Sequence, residues 1–116
     1  AEGLKNEHAV VLVAEVDGVI VGQLGMDLAR YGVADVGMLV SDGWRGRGVG
    51  SALLHAGVEW ARGAGAHKIA LQVWPHNSAA IALYEKFGFQ REGLLLRHYR
   101  RRNGELWDAV LMGLSL

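Results

Sequence analysis

The chain has 116 residues, 51% of them hydrophobic, which is enough for one small domain with a single core and too apolar for a disordered tail. Twelve basic and twelve acidic side chains cancel, so net charge points to neither nucleic acid nor an anionic membrane as partner. There is no cysteine, which excludes disulfides, thiolate metal sites and a cysteine acyl-enzyme and suits a cytoplasmic protein.

Residues 1–9 lack the basic start and apolar core of a signal peptide, and no apolar run approaches ~20 residues, so no membrane span is expected. Residues 10–16 are apolar and largely β-branched and read as a strand. Asp17-Gly18 is a hairpin signal, and residues 19–28 return as a second strand with Gly22 and Gly25 as bulge or bend points. Arg30-Tyr31-Gly32 turns the chain, and residues 34–40 form a third strand, so the opening is an antiparallel meander.

A glycine-rich turn follows, with Gly46, Gly48 and Gly50 alternating with Arg45, Arg47 and Val49. The helix it opens spans residues 48–62. Its expected apolar stripe is Leu53, Ala56 and Trp60, with Val49 and Leu54 beside them. Gly63-Ala64-Gly65 ends it, and residues 69–73 alternate as a fourth strand. Strand, helix, strand with tight links is a βαβ unit, so the third and fourth strands are expected to be parallel.

Pro75 ends that strand, and Asn77 or Ser78 caps a second helix running to about Phe87. Gly88 stands at the C′ position with Phe89 as the following hydrophobic contact. Residues 89–99 and 105–114 make a final strand pair. Asn103-Gly104 between them signals a two-residue turn, which would pair Arg102 with Glu105 and Arg100 with Trp107. The order β-β-β-α-β-α-β-β is an α+β fold with a mixed, mostly antiparallel sheet, read as a single domain over residues 1–116.

Between a strand and a helix, a glycine turn exposes backbone N–H groups, and the helix adds the positive end of its dipole. That makes an anion site, but no Gly-Lys-Ser/Thr follows, and Gly46-Arg47-Gly48-Val49-Gly50 is not the dinucleotide-binding spacing. The pattern Arg45-x-x-Gly48-x-Gly50 resembles the signature of the GNAT family of acetyl-CoA-dependent N-acetyltransferases. A second likeness is Asn77, Ala80, Tyr84, Gly88 and Phe89, in the order and spacing of that family's later helix. Seven residues put Asn77 and Tyr84 on one helix face, ~10 Å apart.

The resemblance implies acetyl-CoA as co-substrate and direct acetyl transfer to a primary amine of a small molecule or amino acid. It assigns Arg45, Gly46, Arg47, Gly48, Val49, Gly50 and Ser51 to the pyrophosphate, and Met38, Leu39 and Val40 to the pantetheine arm. A backbone N–H near Val40 would serve the oxyanion, Asn77 would orient the arm, and Tyr84 would protonate the leaving thiolate. Alternatives are a non-catalytic acyl-CoA-binding module or subunit and a protein N-acetyltransferase. Some protein N-terminal acetyltransferases of the family carry a glutamate where this chain has Gln72, which counts against the latter. Asp35, Glu92, Glu105 and Asp108 are the other carboxylates weighed as bases.

The family usually begins with a further strand and two helices for which this chain has no sequence. The expectation is a chain cut short at that end, or one whose exposed sheet edge a second subunit covers, which leaves a homodimer open. His8, His55, His67, His76 and His98 show no metal-ligand spacing, so no metal is assigned. Arg97, Arg100, Arg101 and Arg102 form the one basic cluster, read as a charged hairpin end. An acidic acceptor is its alternative use; nucleic acid is set aside because no aromatic-basic platform accompanies it elsewhere. Trp44, Trp60, Trp74 and Trp107 are expected as core or pocket walls.

Overall fold

A computed structural model describes residues 8–116; the start of the segment read above for a leader, residues 1–7, lies outside the described residues. The elements are β1 (Ala9–Val16), β2 (Val19–Leu28), β3 (Val33–Val40), α1 (Val49–Gly63), β4 (Lys68–Val73), α2 (Ser78–Lys86), β5 (Gln90–Arg100) and β6 (Leu106–Ser115). The predicted order stands, with boundaries moved by a residue or so. They fall into two compact units, one reaching Ile69 and including Leu116, the other Ala70–Ser115.

In the first unit β1, β2 and β3 are neighbours in that order, all antiparallel. The β1–β2 register slips between Ala14 and Glu15, which leaves Val21 as the extra residue beside Gly22. The bulge expected at Gly22 is thus displaced by one position. Gly25 carries no irregularity: it pairs squarely with Val11 on one side and Gly37 on the other.

Helix α1 packs mainly on β2. Its buried face is Leu53, Leu54, Gly57, Val58 and Ala61, which corrects the predicted stripe: Ala56 is exposed and Trp60 only half-buried. The reason is Gly57. A Cβ there would lie 3.1 Å from Leu24 Cδ2 and 3.3 Å from Met26 Cε, so the helix lies close against the strand where it has no side chain. Gly65, at φ 88°, ends the helix; Ala66 N–H reaches Ala61 C=O at 3.0 Å and Gly65 N–H reaches Arg62 C=O at 3.1 Å.

The second unit has strand order β4-β6-β5. Leu71, Val73, Ile81, Phe89, Ala109, Val110 and Met112 are its buried apolar residues, with Tyr84 among them. Gly88, at φ 101°, is the C′ residue of α2 as expected. Gly88 N–H bonds Glu85 C=O and Phe89 N–H bonds Tyr84 C=O, both at 3.0 Å, and the Tyr84 and Phe89 rings meet at 5.6 Å.

The final hairpin departs from the two-residue turn. Arg101 N–H bonds Glu105 C=O at 2.8 Å and Gly104 N–H bonds Arg101 C=O at 2.9 Å, with Gly104 at φ 89°. This is a type I turn closed by a left-handed glycine, so Arg100 pairs with Leu106 and Tyr99, not Arg100, faces Trp107. Asn103 Oδ1 accepts the Glu105 N–H at 2.9 Å and holds the longer turn.

Candidate active site

Ser41 C=O accepts the Trp44 N–H at 3.0 Å and starts the glycine turn. Gly43, Gly46 and Gly48 all have positive φ, 86°, 74° and 85°, and a Cβ on any of them would meet nothing within 4 Å. The backbone therefore coils with open space beside it. The first helical bond of α1 runs from Ala52 N–H to Gly48 C=O at 3.0 Å, and no side chain caps this end. The N–H groups of Val49, Gly50 and Ser51 precede it without a helical acceptor. Uncapped donors at the positive end of a helix, with no acidic residue in the first turn, fit a pyrophosphate.

Arg45 makes only an exposed pair with Asp42, 3.6 Å apart, which a phosphate can replace at little cost. Arg47 lies over the Trp44 ring at 4.4 Å and reaches Gly43 C=O at 3.4 Å. Beneath the turn, β2 comes very near α1: a Cβ on Gly22 would stand 2.9 Å from Val49 Cγ1 and 3.2 Å from Leu39 O. That approach sets the start of the helix against the end of β3, where Met38, Leu39 and Val40 lie.

In the second unit Asn77 is the N-cap of α2, its Oδ1 accepting the Ala80 N–H at 3.3 Å. The cap occupies the oxygen and leaves the NH2 as the donor it can offer a ligand. Tyr84 is on the same helix and buried, and desolvation raises its pKa above the ordinary tyrosine value. The ring is set by Phe89 and by the helix-ending bonds at Gly88.

The carboxylates weighed as bases differ. Hydrogen bonds from Asn103 and Trp107 hold Glu105 below the ordinary glutamate range, which makes it a poor proton acceptor. Asp108 Oδ1 accepts the Arg97 N–H at 2.6 Å, where two extra residues bulge from β5 and Arg97 takes φ 49°. Asp35 and Glu92 are exposed on their strands. Gln72 Oε1 accepts the Tyr99 hydroxyl.

A cluster that the sequence reading did not assemble stands at the end of β4. Trp74 meets Tyr99 edge-on at 5.5 Å and Trp107 at 4.9 Å, His76 meets Trp107 at 4.9 Å, and the Arg101 guanidinium lies over both indoles. Its only sequence signal was tryptophan at the ends of two predicted strands. All four tryptophans are half-buried and none is core. Among the described residues no group of side chains is arranged to hold a metal ion. No helix there is long and apolar enough to cross a membrane.

Residues 2–89 match the model of the acetyltransferase (GNAT) family. The chain belongs to this family. This GNAT chain is 41% identical over 109 residues to the L-amino acid N-acetyltransferase AaaT of Escherichia coli (strain K12), covering 87% of the chain and 65% of AaaT. It is 38% identical over 103 residues to the N-alpha-acetyltransferase RimI of Mycobacterium tuberculosis, covering 84% and 62%. The solved structure of yncA from Salmonella typhimurium, with its cofactor acetyl-CoA, matches with a TM-score of 0.84 at 26% identity, over 91% of this chain and 64% of that one. The chain thus spans just under two thirds of the length of each of these proteins. Its α+β, mostly antiparallel architecture is the GNAT fold.

Proposed function

We propose that this GNAT chain moves the acetyl group of acetyl-CoA directly to the primary amine of an amino acid or other small molecule, in the cytoplasm. The observation that carries the reading is the uncapped N-terminus of α1 behind a glycine turn with open space beside it. Acetyl-CoA supplies the acetyl thioester. Residues 45–51 hold its pyrophosphate, the edge of β3 at residues 38–40 takes the pantetheine arm, and the Asn77 amide orients that arm. A backbone N–H near Val40 donates to the carbonyl oxygen as negative charge grows there. Tyr84, protonated throughout the neutral range, gives its proton to the departing sulfur.

The amino-acid acceptor is supported by the likeness to AaaT, an L-amino acid N-acetyltransferase. A protein N-terminal amine is the second reading, favoured by the likeness to RimI, and Gln72 in place of a carboxylate weighs against it.

Release of free CoA thiol, followed with a panel of amino acids, polyamines, aminoglycosides and peptides, tests the reading. Release that depends on an amino acid or small amine is expected. Release with peptides alone selects the second reading. Stabilisation by acetyl-CoA without release, on any acceptor, makes the chain a binding module and contradicts transfer.

A further inference from the structure

We propose that Arg101 is the residue that recognises the acceptor, by pairing with a carboxylate next to its amine. The acceptor is then an α-amino acid with a free carboxyl group. This rests on the acetyl-transfer reading and adds to it a specificity-determining residue.

The hairpin geometry brings the parts together. In the two-residue turn Arg100 would face Trp107 and Arg101 would project from the opposite face of the ribbon. The three-residue turn slips the register by one, and a slip of one exchanges the faces. Tyr99 is now opposite Trp107 and Arg101 opposite Glu105, so Tyr99, Arg101 and Trp107 share a face. The Arg101 guanidinium carbon lies 4.8 Å from the Trp74 ring centre and 4.5 Å from that of Trp107, and the two indoles are perpendicular to each other. Contact with two rings restricts the long side chain at its tip. A guanidinium held on aromatic rings keeps the in-plane N–H fork that matches the two oxygens of a carboxylate.

Glu105, the acid opposite Arg101 in the ladder, forms no ion pair with it. None of the ion pairs or side-chain hydrogen bonds found among the described residues engages the Arg101 guanidinium. Arg100, Arg101, Arg102, Asn103 and Trp107 line an open concavity of about 470 Å³ without a carboxylate among them. Glu105, opposite Arg101 in the ladder, is engaged with Trp107 Nε1 at 3.3 Å. The cluster is tied to β4 through the Tyr99–Gln72 bond and Trp74, and the chain passes from there through Pro75 to Asn77 and the helix of Tyr84. A nucleic-acid strand needs open aromatic faces for its bases, and these indoles are taken up by Arg101 and by each other.

The test compares a free L-amino acid, the best acceptor of a panel of such acids, with its carboxamide and methyl ester at saturating acetyl-CoA. Wild type is expected to favour the free acid in kcat/KM by about tenfold or more, the scale of one charge-assisted hydrogen-bonded pair. Arg101→Met should raise KM for the acid to that of the amide, with kcat and the KM for acetyl-CoA little changed. Arg101→Lys should recover part of the preference. Equal use of acid and amide by wild type overturns the proposal. So does a rise in KM for acetyl-CoA alone, which would make the anion a phosphate of the donor. Calorimetric titration of the acetyl-CoA-loaded protein with the acid and the amide reads the same discrimination without turnover. Binding of the acid that depends on Arg101, with no transfer, supports the anchor and contradicts the enzyme reading. Absence of any preference in binding overturns the anchor.

Discussion

At Tyr84 packing and the proposed chemistry ask for the same thing. Its ring completes the helix-ending motif with Phe89, and the burial that follows keeps the phenol protonated. Tyr84→Phe keeps the ring and removes only the proton donor. It is expected to lower kcat by about 10²-fold with acetyl-CoA affinity retained, as loss of a general acid does. An unchanged kcat in steady-state assays would take Tyr84 out of that role. The raised pKa has a second consequence. The folded protein holds this proton to higher pH than the unfolded chain. Below the ordinary tyrosine range both states keep it and nothing is lost; as pH rises through that range the unfolded chain ionises first and gains. Thermal melts of wild type should therefore lose stability relative to Tyr84→Phe above about pH 10 and run parallel to it at neutral pH. Parallel behaviour through about pH 11 would mean that the hydroxyl is not desolvated.

Among the elements, the glycine turn and the strand beneath it make separable demands. Gly48 and Gly43 have nearly the same positive φ and the same open surroundings, so a side chain strains the backbone equally at either. Only Gly48 adjoins the uncapped end of α1. Gly48→Val is expected to weaken acetyl-CoA binding by about tenfold or more in calorimetry, Gly43→Val far less. Equal affinities would refute the loop as the phosphate cradle. Gly22 acts through packing: a methyl group there meets Val49 Cγ1 at 2.9 Å and the Leu39 carbonyl at 3.2 Å. Gly22→Ala should cost about 1–3 kcal/mol in chemical denaturation, and a neutral result would contradict the tight seating of α1.

These elements also divide what could be read from the sequence. The Gly88–Phe89 helix end and the Arg45–Gly50 turn were legible because each is a local pattern whose glycines have a stated backbone task. The face of α1 was misread because Gly57, which is buried against Leu24 and Met26 of β2, has no hydrophobicity to count. The last hairpin was misread because Asn-Gly favours a two-residue turn, and the bond from Glu105 N–H to the Asn103 side chain tips it to three. The aromatic group around Arg101 was invisible for the same reason, since it depends on that register and joins strand ends far apart in sequence.

For the molecule as a whole, GNAT membership leads to a single claim: acetyl from acetyl-CoA ends on an amine nitrogen. The most direct test supplies acetyl-CoA labelled in the acetyl group together with L-amino acids and follows the label by mass spectrometry. Label in an amide bond on the α-amino nitrogen, formed over many turnovers and slowed by Tyr84→Phe, is the expected result. Label that stays on CoA, or appears only as free acetate whatever amine is present, would contradict the account.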